Sequence, residues 1–555
     1  MAARRSHTNT SVLIIGSGIS GLCVAIDLIR RNKCDDFIIV EKGSQVGGTW
    51  NDNKYPGCCC DVWSHLYSYS FEPNPDWSRE YSGQEEILCY LISVAQKWGL
   101  FQKIRFSSNV SKSCWSDSEG IWKTEVQVTG DKDAEFGKEY TINSQYLVSA
   151  VGQLNMPSYP RLPGLHSFNG KVMHSARWDW SYPMEGKKIA VIGNGATAAQ
   201  IIPEVAKVCD TLSVFQRTAN WVVPKFNTDI STVKRNAYRY LPGFRKFYRA
   251  RLMDIRETIY QANVVENSEA KQELRQTALA MLEAQIPDNA ELRKSLIPNY
   301  PPGCKRVIMS DDFLSTLNHP HVTLETNPIK TISSSGIVVE GEHKYQVDVI
   351  ILATGFRTLK FMYPIKIFGE GGRSLTDIWQ NGTKAYMGMT VESLPNFAML
   401  YGPNTNLGHN SVILMIEAQS RYINAMISTV LGSVRGEKIC ITVKEQSLMG
   451  YNKEIQERLK RTTFANPKCH SWYKAADGTV TNNWCGTVVE YQERTSKIDW
   501  ASYNVACTGG KIISKEEVQH IGRVVEETRY AQSALYATCG FFGLWLLGTC
   551  ALRII

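Results

Sequence analysis

Apolar residues in this chain gather into short runs broken by glycine turns, and the pattern recurs. Val12-Leu13-Ile14-Ile15 has the length of a buried strand; it breaks at Gly16-Ser17-Gly18-Ile19-Ser20-Gly21 and passes into helical spacing at Ala25, Ile26, Leu28 and Ile29. A second run, Phe37 to Val40, ends at Glu41. A similar unit follows much later: Lys187 and Lys188 lead into Ile189-Ala190-Val191-Ile192, then Gly193-Asn194-Gly195-Ala196-Thr197-Ala198, a helix through Val205, and a strand from Thr211 to Phe215. Between this unit and Arg306, Asn227 to Leu296 is rich in Arg, Lys, Glu and Ala, with helical spacing at Leu274, Leu279, Met281 and Leu282. It predicts a helical insertion over the active site, with Arg245 and Arg251 on a solvated face. Two small-residue turns, Val148-Ser149-Ala150-Val151-Gly152 and the one ending Asp348 to Phe356, read as crossovers between domains.

The predicted fold class is therefore α/β, with two Rossmann-like dinucleotide-binding domains. The first occupies 1–150 and resumes at 348–505; the second occupies 151–226 and 301–347; 227–300 is the helical insertion and 506–555 a C-terminal extension. In each unit the glycine fingerprint sits between strand and helix. Gly16 serves the tight turn, Gly18 the close approach of a pyrophosphate, and Gly21 helix packing, with phosphate charge at the helix N-terminus. Glu41 offers a carboxylate to ribose hydroxyls. In the second unit Ala198 takes the third glycine position, and the strand ends in Gln216-Arg217-Thr218, where a cation favours a 2′-phosphate and hence NADP over NAD. Two such sites in one chain are explained by a resident flavin, FAD, reduced by NADPH.

Composition narrows the class. Hydrophobic residues at 43% and charged residues at 21% of 555 positions describe an ordinary folded protein of roughly three or four units. Lys plus Arg exceed Asp plus Glu by 61 − 53 = +8, and apart from Lys234 to Arg251 the excess is spread out, which argues against nucleic acid as a partner. The 15 cysteines show no C-x-x-C pair, zinc array or disulfide-scaffold spacing, so no metal is expected and a reducing compartment is. Met1 to Ser11 is too polar for a secretory signal, and the catalytic part is expected in the cytosol. Tyr530 to Leu552 carries no formal charge and has spanning length. A tail anchor on an intracellular membrane is the expectation, with a buried helix or a dimer contact as the alternative.

A disulfide reductase would need a redox cysteine pair at the flavin; Cys58-Cys59-Cys60 is the only cluster, and Gly47-Gly48-Thr49-Trp50 carries Trp where those enzymes carry Cys. A flavin without a second protein redox group can pass electrons to dioxygen. Phe168-Asn169-Gly170-Lys171-Val172-Met173-His174-Ser175-Ala176-Arg177-Trp178-Asp179 resembles, at every fixed position, the F-x-G-x-x-x-H-x-x-x-W-[PD] signature of Baeyer–Villiger monooxygenases. The resemblance runs from about Ser11 to about Trp500. It takes in Gly47-Gly48-Thr49-Trp50, Tyr55-Pro56-Gly57, Cys60-Asp61, Ser64-His65-Leu66-Tyr67-Ser68, Gly303-Cys304-Lys305-Arg306, Ala353-Thr354-Gly355-Phe356 and Ser471-Trp472-Tyr473. Cys58, Cys59 and Trp63 depart from the family's usual residues beside the expected flavin edge.

The resemblance implies FAD, NADPH and dioxygen, a ketone substrate converted to an ester or lactone, and a place in small-molecule biosynthesis. It assigns Arg306 as the cation that stabilises negative charge at the reacting centre and Asp61 as the carboxylate that orients it. For FAD it implies Gly16, Gly18, Gly21, Glu41, Thr49, Trp50, Asp61, Tyr67 and Val110. For NADPH it implies Gly193, Gly195, Ala196, Thr197, Arg217 and Thr218, with Lys305 and Arg306 near the nicotinamide. Phe168, Gly170, His174 and Trp178 form the linker motif, and His174 and Trp178 are expected to couple nicotinamide binding to domain position. The turn from Leu400 to Ser411 is a second candidate lining. Oxygenation of nitrogen or sulfur on the same fold is the alternative chemistry; a flavin redox sensor or scaffold without turnover is the alternative of another class.

Overall fold

The computed structural model describes residues 8–130, 137–432, 438–507 and 517–523. Two β-sheets organise the chain. In the first, the strand Asn9–Ile15 lies parallel between Phe37–Val40 and Glu139–Ser149, with Val12 beside Phe37 and Ile14 beside Val148. The order across it is Lys366–Phe368, Ser108–Ser116, Ile121–Val128, Glu139–Ser149, Asn9–Ile15, Phe37–Val40 and Ile104–Arg105, and Phe397–Met399 also pairs with Glu139–Ser149. The second sheet is wholly parallel, in the order Val322–Glu325, Thr211–Phe215, Lys188–Ile192, Val349–Leu352 and Lys171–His174.

The placement of Val349–Leu352 moves one expected boundary. The segment from Asp348 was assigned to the first domain, yet this strand lies in the second sheet, between Lys188–Ile192 and Lys171–His174. Val349, Ile350, Ile351 and Leu352 are fully buried, as the interior of a parallel sheet covered on both faces demands. The return to the first sheet comes after Gly355, where the two crossovers meet: Ser158 N–H donates to the Gly355 carbonyl at 2.8 Å, and Thr354 Oγ1 donates to the Ser158 carbonyl at 2.7 Å.

Each sheet has its own core. The helix Ile19–Asn32 packs on the helix Val412–Leu431, burying Leu22, Ala25 and Ile26 with Tyr422, Ile423 and Met426, while Ser420 Oγ donates to Asp27 at 2.8 Å. The second core gathers Ile189, Val191, Ile201, Ile202 and Val214 with Met281 and Leu282 of the insertion. That insertion comprises the helices Thr232–Tyr240, Phe244–Asn263, Glu269–Gln285 and Ala290–Leu296. Ser231, Ser268 and Asn289 cap three of them by accepting from the amides of Lys234, Lys271 and Leu292. Arg251 is exposed, but Arg249 and Arg256 on the same helix are buried against the first domain.

The apolar tail, Tyr530 to Leu552, lies outside the described residues. Among those described, no helix is long and apolar enough to cross a membrane, and no group of side chains could hold a metal ion. One cysteine pairing went unread in the sequence: Cys304 and Cys469 form a disulfide. Their separation of 165 residues gives no local spacing to notice.

Candidate active site

The first fingerprint folds as the glycines require. Gly16 has φ +104°, and a Cβ on Gly21 would fall 1.9 Å from the Gly16 carbonyl oxygen, so no side chain fits at the turn's closest approach. Gly18 precedes the helix Ile19–Asn32, whose first turn has no side-chain cap. A Cβ on Gly18 would sit 3.4 Å from Gly48 Cα, so two bare backbones form a cradle open to a pyrophosphate. Glu41 is buried at the end of Phe37–Val40; its carboxylate accepts from Ser17 N–H at 2.8 Å, Ser17 Oγ at 2.9 Å and Gly43 N–H at 2.8 Å. Thr49, exposed, and Trp50, buried, begin the short helix Thr49–Asp52 beside this cradle. Trp50 Nε1 donates to Tyr67 OH at 3.2 Å, and burial pushes the Tyr67 hydroxyl far up. Val110 is a core residue packed with Leu13 and Ile15.

In the second fingerprint Gly193 has φ +114°, and Gly195 caps the helix Ala196–Ala206 without a side-chain bond. Nothing lies within 4 Å of where a Gly195 Cβ would stand. Ala196 is exposed and Thr197 half-buried at this open helix end. Arg217 is exposed just past Thr211–Phe215, and the Thr218 carbonyl accepts from Asn194 Nδ2 at 2.9 Å. Lys305, expected beside the nicotinamide, comes instead from far along the chain to the neighbourhood of Arg217, its ammonium 4.7 Å from the Tyr300 ring centroid. Burial and then the nearby Arg217 charge lower its pKa.

Arg306 and Asp61 meet where the domains join. The guanidinium grips the carboxylate through two parallel bonds, Nε to Oδ2 and Nη2 to Oδ1, the latter at 2.6 Å, and its Nη1 donates to the Leu407 carbonyl at 3.2 Å. Burial works to raise the Asp61 carboxyl, but the charge and hydrogen bonds of Arg306, joined by the charges of Arg256 and Lys225, together outweigh it and hold the group at about 2. Burial likewise opposes the Arg306 charge, and Asp61 more than restores it. Both side chains keep about a quarter of their surface, 26% and 27%, so the pair is held yet reachable.

Among the pair's neighbours, Trp63, Tyr473 and the Leu400 to Ser411 turn carry sequence expectations, whereas Arg256, Tyr81 and Glu257 escaped the sequence reading. Arg256 Nη2 donates to the Asp61 carbonyl at 2.8 Å, and its guanidinium lies 4.7 Å from the Trp63 ring centroid. Trp63 in turn stacks on Tyr81 at 5.9 Å. Tyr401 and Tyr473 face Arg306 electrostatically, and burial pushes the Tyr473 hydroxyl up to about 12 against the pull of that cation. The turn carrying Leu407 is anchored to the insertion, since Asn410 Nδ2 donates to Glu257 at 2.7 Å and His409 Nε2 lies 3.4 Å from the same carboxylate. Arg249 and Arg256, seven apart, share a helix face, the one signal that could have marked them.

The linker motif packs against the crossovers. A Cβ on Gly170 would strike the Asp348 carbonyl at 2.3 Å, and Phe168 is buried in the second domain's core. His174 ends Lys171–His174, accepts from Ala176 N–H at 3.1 Å, and lies between Tyr159 and Phe356 with ring centroids at 5.3 and 6.1 Å. Burial brings its pKa down to about 4, so it is neutral at physiological pH. Trp178 packs partly buried beside Trp180, whose Nε1 donates across the domains to the Lys54 carbonyl at 2.7 Å.

With this geometry the comparisons agree. The profile of the flavin-binding monooxygenase-like family matches residues 9–447. A Baeyer–Villiger monooxygenase of Streptomyces coelicolor is 39% identical over 499 residues, 90% of this chain and 93% of that protein. The chain belongs to the Baeyer–Villiger monooxygenase family. A further relative, the FAD-binding monooxygenase ktnD of Aspergillus niger, is 47% identical over 530 residues, 95% of this chain and 87% of its own length. Among solved structures, the OTEMO complex with FAD and NADP superposes with a TM-score of 0.77 at 26% identity, covering 90% of this chain and 99% of that one. This monooxygenase thus carries, on its own residues, two glycine cradles that fit the dinucleotides its sequence implies.

Proposed function

We propose that this monooxygenase inserts one oxygen atom of dioxygen beside the carbonyl of an organic ketone, giving an ester or lactone, with FAD as resident cofactor and NADPH as reductant, in small-molecule biosynthesis. The observation that carries the reading is the bidentate Arg306–Asp61 pair at the domain junction, in a chain that also bears the complete Phe168 to Asp179 motif.

Bound FAD, once reduced, supplies the electrons that activate dioxygen. Gly16, Gly18 and Gly48 hold its pyrophosphate, and Glu41 its ribose hydroxyls. Arg217 and Lys305 hold the 2′-phosphate of NADPH, their mutual repulsion relieved by the dianion between them. Arg306 keeps a fixed positive charge where negative charge builds at the reacting oxygen, and Asp61 keeps that guanidinium from swinging away. Arg256 and the Glu257-anchored turn close the site from the insertion and limit water.

The test is turnover of the purified holoenzyme with NADPH and ketones of increasing size under labelled dioxygen. Esters or lactones carrying one labelled oxygen per NADPH consumed are expected. Sulfoxides or N-oxides with no ester would replace the reading by heteroatom oxygenation, and NADPH oxidation unresponsive to any organic substrate would remove the oxygenase assignment.

A further inference from the structure

Arg306 stands in a loop, 301–307, that is neither helix nor strand. Pro301 and Pro302 open it without amide donors, and among the described residues it makes one backbone bond within itself, Cys304 N–H to the Pro301 carbonyl at 3.3 Å. Its position is therefore set from outside. Gly303 lies flush on the end of the helix Phe244–Asn263, since a Cβ there would fall 2.0 Å from the Asn263 carbonyl oxygen. The Cys304–Cys469 disulfide gives a second hold. The third is Lys271, on the next helix of the insertion, Glu269–Gln285.

Lys271 is only 6% exposed, yet each N–H of its ammonium meets an oxygen: the Pro302 carbonyl at 2.9 Å, Thr463 Oγ1 at 2.6 Å and the Asn263 carbonyl at 3.4 Å. The Thr463 hydroxyl gives its own hydrogen to the Val264 carbonyl at 3.1 Å, which leaves its lone pairs for the ammonium. The elements packed against Lys271 thus present it with neutral oxygens, and among the described residues the Glu266 carboxylate, on the preceding turn, is the charge that bears on it. Burial outweighs that carboxylate and brings the Lys271 pKa down to about 8. A neutral amine has two N–H bonds and a lone pair, so deprotonation leaves one of the three oxygens without its donor.

We propose that Lys271 is a positioning residue for Arg306, its ammonium pinning the loop that carries the guanidinium to the insertion and to Thr463. The inference rests on the role assigned to Arg306 above. While the ammonium is in place, Pro302 is fixed four residues before Arg306, and the guanidinium reaches both Asp61 and the Leu407 carbonyl. As pH rises through about 8 the ammonium loses its proton, an anchor of the loop is released, and the cation no longer stands where negative charge builds. The insertion in this way sets the reacting centre's cation as well as covering the site.

Amide hydrogen exchange of the full-length holoenzyme, corrected for the intrinsic effect of pH, is followed across about pH 6.5 to 9.5, with the buried strand Val349–Leu352 as reference. The Cys304 and Ile308 amides, bonded to the Pro301 and Trp221 carbonyls, should lose about 10-fold protection as pH rises through about 8. Lys271→Arg, charged at every pH, should remove that transition, and Lys271→Met should keep the loop at the low level throughout. Product formed per NADPH oxidised should follow the same pattern: an alkaline fall in the wild type, none in Lys271→Arg, and about 10-fold less at neutral pH in Lys271→Met, with FAD bound in each. A residue that only fills space would not move the pH profile, and a transition belonging to Lys305 in the same loop would survive Lys271→Arg. A transition that persists in Lys271→Arg, or full protection and product yield in Lys271→Met, overturns the proposal. If a variant sheds FAD, the wild-type exchange profile decides, and constant protection through pH 8 overturns it. Failure of the wild type to oxygenate any ketone would remove the Baeyer–Villiger reading and leave the exchange result standing, so the two failures are distinct.

Discussion

The coupling between Asp61 and Arg306 can be measured by a double-mutant cycle of Asp61→Asn, Arg306→Ala and the double variant. A carboxyl held at about 2 in place of the ordinary 3.8 corresponds to about 2.5 kcal/mol between its two protonation states. This net shift also contains the burial cost and the charges of Arg256 and Lys225, and solvent screens a pair about a quarter exposed, so a coupling on the order of 2 kcal/mol, or roughly 30-fold, is expected in the product-forming step. Asp61→Asn leaves the guanidinium with the Leu407 carbonyl as its remaining backbone anchor, so the cation is mispositioned rather than lost. The assay is single turnover: flavin reduction by NADPH, then mixing with oxygen and ketone, and quantitation of product. Asp61→Asn should slow product formation about 30-fold while flavin reduction stays within about threefold. In the Arg306→Ala background the same substitution should cost almost nothing. A penalty for Asp61→Asn that is undiminished without Arg306 would refute the view that Asp61 acts through the guanidinium. The sign of the pH dependence follows from the depressed pKa. The pair's contribution is complete above about pH 4 and is lost only as pH falls through about 2, so no transition from Asp61 should appear in a profile at neutral pH.

Arg217→Ala should raise the KM for NADPH on the order of 10- to 100-fold and leave that for NADH nearly unchanged, and equal effects in steady-state kinetics would remove the phosphate contact. Gly21→Ala should give protein without FAD, because its Cβ would fall 1.9 Å from the Gly16 carbonyl; Gly195→Ala, with nothing within 4 Å, should fold, keep the flavin spectrum and weaken NADPH binding alone. Cys304→Ser removes a cross-link spanning 165 residues, for which chain entropy sets an upper bound of about 5 kcal/mol, so the melting temperature should drop by several degrees; equal melting with and without reductant would show that the bond contributes nothing.

What the sequence disclosed and what it withheld divide along the range of the interactions. Gly16, Gly18, Gly21 and Glu41 are legible because strand, turn, helix and second strand are neighbours in the chain, and the steric demand at Gly21 is met within five residues by the Gly16 carbonyl. The strand Val349–Leu352 is equally clear as an apolar run, but any parallel strand covered on both faces reads alike, so the run announced a strand without naming its sheet. Arg256 looked like one more charge on a solvated helix, since helical spacing cannot say whether the facing surface is water or another domain. Lys225 and Cys59 stand 166 positions apart, and Asp61 and Arg306 245 apart. Of these two contacts, only the second was anticipated, and it was anticipated through the family motif rather than from spacing. The departures Cys59 and Trp63 looked like isolated oddities in the chain, yet the fold gives each a cation, Lys225 for one and Arg256 for the other. A residue of the first domain that is matched by a charge from the second domain or from the insertion is invisible until these parts meet.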